Sequence, residues 1–549
     1  MKKIQYFLLI ICFLPVFLFA QEYKIKNVIL MIPDGTSSNL LSLTRWYNYY
    51  QNSDNTRLAI DDYLCGYVKT HSSNAPIGDS APTTSCYMTG QMSQTGYIAT
   101  YPPTSNQDLM ALDATMAYQP MTTLLEAARL LQHKSTGLVF KCEFPHATPA
   151  DCSAHYYDRS ARKILSKQMV HNYLDVVIGG GVKYLSSSSR QYLKEHDYTL
   201  IFDDKESLLQ CQADRFWALF GDRNMPYCMD KDPEKTPSLT EMTRKAIQTL
   251  TKNENGFFLM VEGSMVDWAA HYNDAKAMIT EMKEFDEAVA EVMRFANRDG
   301  ETVVIILPDH SNSGVSMGNS NSDDIYDEIS LDTIMKPLVN FKISLDSMVK
   351  LIKLNPVEQL SKLFLDNFNI ALTDREIVTV FQASDYENSP VPKEQRKSGK
   401  RLIYTIAPIV NSHTFIGFTT FGHTGEDVFL AAYHPNHDIP IGFNTNMDIH
   451  RYLARQMKLE NELPQLTKTL FVPHQQVFKN LKKLKISIDS IAPEKVVLTL
   501  SKGKNVMKIE SYTNYITFNN KILPLSSVVV YVDKNRTFYL PESVNNFFE

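Results

Sequence analysis

Short, mostly apolar runs, each closed by a turn residue or an acid, recur along the chain. Such runs are typical of parallel strands that are buried on both faces of a sheet. Segments with helical spacing also occur, for example Thr122–Leu131 and Glu281–Val292. The combination predicts an α/β fold with a mostly parallel central sheet. The predicted strands are Val28–Ile32, Thr136–Lys141, Asp175–Ile178, Phe257–Val261, Thr302–Leu307 and Val428–Tyr433.

Two later regions have a different pattern. The segment between His310 and His423 is too long for a loop and is helical in pattern, so we expect an inserted helical subdomain at 311–419. Beyond residue 470 successive short strands predict a small β-rich appendage at 470–549. The expected core is then 21–310 together with 420–465. The predicted helices of the insert are Leu345–Ile352, Pro356–Phe368 and Arg375–Ser384, and the predicted strands of the appendage are Lys485–Ile491, Lys495–Leu500, Val506–Ser511, Tyr515–Phe518 and Ser527–Val532.

The N-terminus, residues 1–20, has the pattern of a secretory signal peptide. Lys2 and Lys3 precede the apolar run Tyr6–Phe19, and cleavage is expected after Ala20. A membrane anchor is the alternative, but the run is short for a span. We therefore expect a protein that is periplasmic or otherwise exported, with no transmembrane segment in the mature chain.

Composition narrows the class of protein. The chain has 549 residues, of which 44% are hydrophobic and 21% charged, which is an ordinary globular composition. The net charge of -6 and the lack of a long basic run argue against nucleic acid as a partner.

Six cysteines follow the signal, and an even number permits disulfides in an exported protein. Cys142/Cys152 and Cys211/Cys228 are candidate pairs, and free buried thiols are the alternative.

The stretch Ile77–Gly90 places a serine at the start of a predicted helix. Ser80 follows Asp79, and Pro82 suits the first helical turn, where a missing N–H costs nothing. Backbone N–H groups and the helix dipole at that end favour negative charge. Ser80 is thus a candidate nucleophile for phosphorus, because the same groups would hold its phosphorylated form. The alternative is that Asp79 and Ser80 only cap the helix.

Acids and histidines follow several of the predicted strands. In open α/β sheets ligands bind at the carboxyl ends of the strands, so these side chains are expected to meet there. Carboxylates and neutral imidazoles both bind zinc, and the set is too large for one zinc ion, which indicates a multi-metal site. Each residue taken alone also fits a turn or a surface pair. The set comprises Asp34, Glu262, Asp267, His271, Asp309, His310 and His423.

Another segment begins with His146-Ala-Thr-Pro and continues with a helical pattern to Arg159. Thr148 also fits an ordinary helix cap, and Arg159 also fits an exposed surface position. Beside a serine nucleophile and metal ligands, however, a guanidinium completes a set of groups for phosphoryl transfer.

In combination these motifs resemble the alkaline phosphatase family. The resemblance spans roughly Lys26–His310 and returns near His423, and the motifs follow the same order. They are Pro33-Asp34-Gly35, Asp79-Ser80-Ala81 with Thr89-Gly90, His146-Ala-Thr-Pro with Arg159, Glu262-Gly-x-x-x-Asp267-x-x-x-His271, Asp309-His310 and His423-Thr-Gly.

The resemblance implies hydrolysis of phosphate monoesters through a phosphoserine on Ser80, with Arg159 clamping two phosphate oxygens. It implies a three-layer sandwich around the mostly parallel central sheet, with two Zn²⁺ and one Mg²⁺ as cofactors, and it allows a homodimer. The implied ligands are Asp267, His271 and His423 for the first zinc, Asp34, Asp309 and His310 for the second zinc, and Asp34, Thr148 and Glu262 for magnesium.

Two positions depart from the commonest family pattern. Relatives have Asp or His where this chain has His146, and often Lys or His where it has Trp268. Because Trp268 brings no charge to the phosphate, we expect weaker binding of product phosphate. His146 is expected to loosen the magnesium site or to admit zinc.

The same fold also serves sulfatases, phosphodiesterases and phosphomutases, so fold alone does not fix the activity. The sulfatases use a Cys/Ser-x-Pro-x-Arg context, and the arginine is missing after Ser80. The diesterases usually lack the acid and threonine of the third metal, whereas this chain has Glu262 and Thr148. A non-catalytic exported protein that binds metal or phosphate is the alternative from a different class.

Overall fold

The structure, a computed structural model, describes residues 25–54, 56–388 and 402–548. The predicted signal peptide at 1–20 lies outside these residues, so it stays a prediction. Within the described ranges, none of the helices combines the length and the apolar character needed to cross a bilayer.

A ten-stranded sheet forms the centre of the molecule, in the strand order β10-β2-β9-β8-β1-β7-β3-β4-β6-β5. Only β9 runs antiparallel to its neighbours β2 and β8. The strands are β1 (Asn27–Ile32), β2 (Leu64–Lys69), β3 (Ser135–Glu143), β4 (Val176–Gly180), β5 (Thr199–Phe202), β6 (Phe216–Phe220), β7 (Phe257–Glu262), β8 (Thr302–Ile306), β9 (Val428–Tyr433) and β10 (Gly442–Thr445).

Both faces of this sheet are covered. Along β1, Val28, Leu30 and Ile32 belong to one hydrophobic cluster, whereas Ile29 and Met31 belong to another on the opposite face. All five side chains are buried, as expected where successive residues of a strand point to opposite faces. The prediction of a sheet between two helical layers is therefore confirmed.

The helices form the two outer layers and the insert. They are α1 (Ser38–Gln51), α2 (Ser80–Thr89), α3 (Leu124–Gln132), α4 (Ala147–Ala150), α5 (Arg162–Val170), α6 (Ser187–Glu195), α7 (Lys205–Gln210), α8 (Leu239–Leu250), α9 (Met265–His271), α10 (Ala275–Asp299), α11 (Leu331–Asn340), α12 (Leu345–Leu354), α13 (Leu360–Phe368), α14 (Asp374–Asn388), α15 (Leu402–Ser412), α16 (Asn446–Gln456), α17 (Glu462–Leu470) and α18 (His474–Val477).

The predicted helix up to Arg159 is wrong, because α4 ends after four residues. Tertiary contacts override the local pattern here: buried Asp151 accepts hydrogen bonds from Ser85 Oγ and the Ala99 backbone N–H. The following chain then pairs with an earlier loop through Tyr156. Arg159 consequently lies in a loop and not on a helix.

The C-terminal region consists of short strands, as predicted, and the structure shows that they pair antiparallel. One five-stranded sheet comprises β11 (Lys485–Ala492), β12 (Lys495–Lys502), β13 (Asn505–Glu510), β14 (Tyr515–Phe518) and β15 (Lys521–Pro524). The strands β16 (Val530–Val532) and β17 (Thr537–Leu540) pair beside it. Leu498 and Leu500 of β12 join the same hydrophobic cluster as one face of the central sheet, so the appendage packs on the core. The domain boundaries themselves stay predictions.

The candidate disulfides are not formed in this structure. The six cysteines in the described residues are all free thiols. Cys142 lies at the end of β3 and Cys228 lies beside α10, and each contacts charged side chains.

Candidate active site

Three neighbouring parallel strands end at the same edge of the sheet and carry polar side chains there. In the order β8-β1-β7, Asp309 and His310 follow β8, Asp34 follows β1, and Glu262 ends β7. All four side chains are fully buried. The adjacency of the strands, which sequence periodicity does not give, brings these residues into one site.

Gly35 allows a close approach at this edge. Its backbone has φ +63°, a conformation that side-chain-bearing residues rarely adopt, and a Cβ there would lie 2.5 Å from Asp267 Oδ1. Its N–H donates to Asp309 Oδ1 at 3.2 Å. The Asp-Gly turn after β1 therefore fixes the distance between two acidic groups of the site.

One cluster combines Asp267 and His271, on the same face of α9, with His423. His423 reaches it because the ribbon His423–Thr424 pairs antiparallel with Ser311–Asn312. His271 Nε2 lies 3.4 Å from Asp267 Oδ2, and His423 Nε2 lies 3.7 Å from Asp267 Oδ1. The predicted helical i, i+4 spacing of Asp267 and His271 is confirmed.

The two imidazoles of this cluster face each other through their Nε2 atoms, which lie 3.1 Å apart. His271 Nδ1 lies 2.7 Å from the Phe421 carbonyl, and His423 Nδ1 lies 2.8 Å from the Gly78 carbonyl. Because a carbonyl oxygen only accepts, each Nδ1 carries a hydrogen, and each neutral ring then has its lone pair on Nε2. Two lone pairs at this distance repel each other unless a shared cation lies between them.

A second cluster contains Asp34, Asp309 and His310. His310 Nδ1 lies against the Ser311 carbonyl at 3.1 Å, which leaves Nε2 free to face the cluster. Ser80, the first residue of α2, points its Oγ at that Nε2 from 3.2 Å. The serine hydroxyl, the helix N-terminus and this cluster therefore meet at one point.

A third group surrounds Glu262. A Cys142 sulfur, a His146 ring nitrogen and a Glu262 carboxylate oxygen all lie within 4.8 Å of one another. Thr148, on the short helix α4, is fully buried. Cys142 was missed by sequence reasoning, because neither its position within a strand nor its spacing from His146 forms a known metal motif. The adjacency of β3 and β7 brings it to Glu262.

Arg159 is held on two sides. One guanidinium nitrogen bonds to the carboxylate of Asp79, and Nη2 lies 3.1 Å from His146 Nε2. Asp79 is the N-cap residue of α2, yet its side chain makes no capping bond and instead also accepts from the Gly96 N–H at 3.0 Å. The simple capping interpretation of Asp79 and Ser80 therefore does not describe the carboxylate of Asp79.

Trp268 follows Asp267 on α9 and is half-buried. Its ring centroid lies 6.1 Å from that of His146. The two positions that depart from the commonest family pattern are thus neighbours, on the side of the site where Arg159 lies.

The site is electrostatically unfavourable by itself. Burial raises the pKa of Asp34 well above its usual value, and the nearby Asp309 carboxylate raises it further. Burial likewise raises the pKa of Glu262 to about 8, whereas burial lowers the pKa of His423 to about 4. Although burial acts against it, His271 and other histidines hold the pKa of Asp267 below its usual value. Buried like charges of this kind are costly unless cations neutralise them.

The donor atoms fit bound metal ions. Buried polar atoms normally have hydrogen-bond partners, but several atoms here have none among the described residues. The paired Nε2 atoms of His271 and His423 also fit a shared cation, since two nitrogens on a tetrahedral zinc lie about 3.3 Å apart. The partnerless atoms are Asp34 Oδ1 and Oδ2, Asp309 Oδ2, Glu262 Oε1, Thr148 Oγ1 and His146 Nδ1.

Comparisons with known proteins agree with this geometry. The family model described as alkaline phosphatase matches residues 25–459. Alkaline phosphatase 3 of Bacillus subtilis is 32% identical over 461 residues, covering 80% of this chain and 92% of the relative. The crystal structure of Thermus thermophilus alkaline phosphatase aligns with a TM-score of 0.68 at 22% identity, covering 81% of this chain and 96% of that one.

A mutant alkaline phosphatase from the Antarctic bacterium TAB5 that has Mg bound aligns with a TM-score of 0.53 at 24% identity, over 79% of this chain and 99% of that one. The fold thus matches solved alkaline phosphatases, and the family model covers most of the chain, including every side chain of the site. This chain is an enzyme that belongs to the alkaline phosphatase family.

Proposed function

We propose that this phosphatase hydrolyses phosphate monoesters through a phosphoserine formed on Ser80. The observation that carries the proposal is the position of the Ser80 hydroxyl, 3.2 Å from His310 Nε2 at the N-terminus of α2. Backbone N–H groups at a helix N-terminus favour an anion, so a phosphoryl group on this oxygen has donors available. The hydroxyl is nearly buried, which protects a phosphoserine from bulk water.

The donor set supports three metal positions. Asp267, His271 and His423 would hold one zinc, and Asp34, Asp309 and His310 would hold a second. Asp34 has two partnerless oxygens, so it is able to serve a third position with Thr148 and Glu262, where magnesium is the family expectation. When bound, such ions supply Lewis acidity that activates nucleophiles and neutralises developing negative charge.

The chain's own residues then perform the substitution in two stages. Ser80 Oγ forms a bond to phosphorus as the ester oxygen leaves, and the leaving alcohol gains a proton. Arg159 binds two non-bridging oxygens, since its planar guanidinium matches a phosphate in a bidentate pair. A water oxygen next bonds to phosphorus, the serine oxygen leaves with a proton, and inorganic phosphate is released.

Glu262 and Thr148 favour monoesters over diesters. A monoester carries more negative charge than a diester, and a third cation beside the site offsets that charge. Both residues present partnerless buried oxygens to that position. A diesterase remains the competing proposal, and it predicts preferential turnover of a substrate with one phosphate charge.

The test compares wild type, Ser80→Ala and Ser527→Ala with p-nitrophenyl phosphate and bis-p-nitrophenyl phosphate at alkaline pH. Each protein is chelated and then reloaded with zinc and magnesium. Ser527 is a matched control, because it is buried and its hydroxyl has no hydrogen-bond partner in the described structure. We expect metal-dependent monoester turnover that Ser80→Ala abolishes and Ser527→Ala retains, and a phosphoryl group on the Ser80 peptide after acid quenching. Preferential diester turnover by loaded wild type overturns the monoester proposal.

We further propose that the enzyme is exported and acts outside the cytoplasm. The support is the basic start and apolar run of residues 1–20. N-terminal sequencing of the protein isolated from cell fractions tests this: Gln21 as the first residue is the expected result, and an intact Met1 start in the cytoplasmic fraction contradicts it.

A further inference from the structure

Cys142 lies inside the third group of candidate metal ligands. It belongs to β3 and is fully buried, and its Sγ lies 3.4 Å from Glu262 Oε2. Neither a motif nor the family expectation assigns this cysteine a role. Because Cys142 lies beside a carboxylate that is expected to bind metal, its sulfur is itself a candidate ligand of that metal.

The geometry around Cys142 fits a metal ligand. A sulfur about 2.3 Å and an oxygen about 2.0 Å from a tetrahedral zinc lie about 3.5 Å apart. The observed distance from Sγ to Glu262 Oε2 is 3.4 Å. His146 contributes a third donor, because its Nε2 faces Arg159 whereas its buried Nδ1 has no partner among the described residues.

The chemistry of these donors differs from that of a magnesium site. Magnesium prefers a shell of hard oxygen ligands, whereas thiolate, imidazole and carboxylate together are typical of zinc. Glu262 and Thr148 offer oxygens to either metal. Cys142 and His146 add softer donors beside these oxygens and so shift the preference towards zinc.

A second cysteine cluster differs from that of Cys142 because a lysine side chain lies against its acidic groups. Cys228 lies with Glu281 and Glu284, but the Lys141 ammonium group occupies that cluster, 2.6 Å from Glu281 Oε2 and 2.7 Å from Glu284 Oε2. The Lys231 ammonium group also pairs with Glu284, so two cations balance the two acids and no metal is needed there. In the Cys142 cluster, Glu262 Oε1 has no hydrogen-bond partner among the described residues.

We propose that the third site of this phosphatase takes zinc, or another thiolate-binding divalent metal, with Cys142 Sγ as a direct ligand beside His146 and Glu262. The thiol proton passes to solvent as the metal–sulfur bond forms. The inference rests on the proposed three-metal site and goes beyond the ligand set Asp34, Thr148 and Glu262. The competing explanation is that the thiol only donates a hydrogen bond to Glu262 and orients it.

Cobalt substitution separates these explanations, because a thiolate bound to Co²⁺ produces an intense charge-transfer band in the near ultraviolet and a thiol outside the coordination shell does not. Wild type, Cys142→Ala and Cys86→Ala are chelated and reloaded with Co²⁺, and bound cobalt is quantified by mass spectrometry. Cys86 is the matched control, because it is equally buried and its Sγ contacts Met92. We expect the band in wild type and Cys86→Ala and its loss in Cys142→Ala.

Metal competition provides the second readout. After dialysis against equal zinc and magnesium, wild type is expected to retain zinc in place of magnesium, and Cys142→Ala is expected to regain magnesium. A cobalt-loaded wild type without the band, or a band that persists in Cys142→Ala, overturns the proposal. Ser80→Ala should keep the band while losing turnover. Failure of the cysteine proposal is thus distinguishable from failure of the phosphoserine proposal, which the turnover assay reads independently.

Discussion

Arg159 bonds to the carboxylate of Asp79, the residue directly before Ser80. Burial acts to lower the pKa of Arg159, but the Asp79 carboxylate, together with the more distant carboxylates of the site, raises it above its usual value. The group proposed to hold phosphate is therefore attached to the segment that carries the proposed nucleophile. A change at Asp79 should alter phosphate binding without touching the serine hydroxyl.

Asp79→Asn keeps the shape of the side chain and removes its charge. The guanidinium then loses a charge-assisted hydrogen bond and samples more orientations, so we expect KM and the phosphate inhibition constant to rise roughly tenfold, equivalent to about 1.4 kcal/mol. The value of kcat should change less. Steady-state kinetics measure both, with Asp158→Asn as an exposed control next to Arg159. An unchanged KM would show that Asp79 does not position the guanidinium.

Trp268→Lys places a cation on the side of the site where His146 and Arg159 lie. A positive charge several ångströms from bound phosphate, at a partly exposed position, stabilises the bound phosphate by about 1–2 kcal/mol. The phosphate inhibition constant should therefore fall roughly tenfold. Trp268→Met is the matched control, because it removes the ring without adding charge. Equal inhibition constants for the lysine and methionine variants would contradict the charge argument.

Asp34→Asn should have opposite effects on the stability of the chelated and the metal-loaded protein. Burial makes the largest contribution to the raised pKa of Asp34, and nearby buried carboxylates raise it further. Replacing the Asp34 carboxylate with a neutral amide therefore relieves repulsion in the chelated protein. We expect the chelated variant to be roughly 1–2 kcal/mol more stable than chelated wild type, and the loaded variant to lose both activity and metal-dependent stabilisation.

Thermal unfolding before and after chelation measures both effects. Asp175→Asn is the control, since Asp175 is a carboxylate with a burial-raised pKa that bonds to Thr136 outside the site. It should leave the metal-dependent stabilisation unchanged. A chelated Asp34→Asn protein that is less stable than chelated wild type would rule out the repulsion argument.

The sequence predicted those parts of the site that depend on strand ends. Asp34, Glu262 and Asp309 each follow an apolar run, and parallel strands present their carboxyl ends at one edge, so their convergence follows from local pattern plus one rule of α/β folds. The helical spacing of Asp267 and His271 is equally local. These predictions gave the edge of the sheet, but not the adjacency of β8, β1 and β7 that brings the three acids into one site.

The sequence did not predict contacts that depend on strand order. Cys142 reaches Glu262 only because β3 lies beside β7, and the Asp79–Arg159 pair forms between distant loops. The helix expected up to Arg159 failed for the same reason, since buried Asp151 bonds to Ser85 and ends it. Side chains that satisfy distant partners override local propensity, and a single sequence does not reveal those partners.

The contact between the core and the appendage should weaken as pH falls, because of His171. This side chain is buried after α5, and its Nδ1 donates to Asn514 Oδ1 at 3.1 Å. Burial lowers the pKa of His171 to about 4. Between about pH 6.5, the unfolded value, and pH 4, the unfolded state binds more protons than the folded state. The free energy of unfolding therefore decreases as the pH is lowered through this range, by up to about 1.4 kcal/mol per pH unit.

His171→Gln keeps a donor for Asn514 but does not titrate, so it should show a shallower dependence of unfolding free energy on pH between 6.5 and 4, whatever its stability at neutral pH. Urea unfolding of chelated proteins measures this without a contribution from metal release. His437→Asn is the control, because position 437 is exposed and has φ +56°, which asparagine tolerates. The control should keep the wild-type slope. Equal slopes for wild type and His171→Gln would mean that His171 is protonated in the folded state. They would contradict the argument that a buried neutral ring makes the hydrogen bond to Asn514.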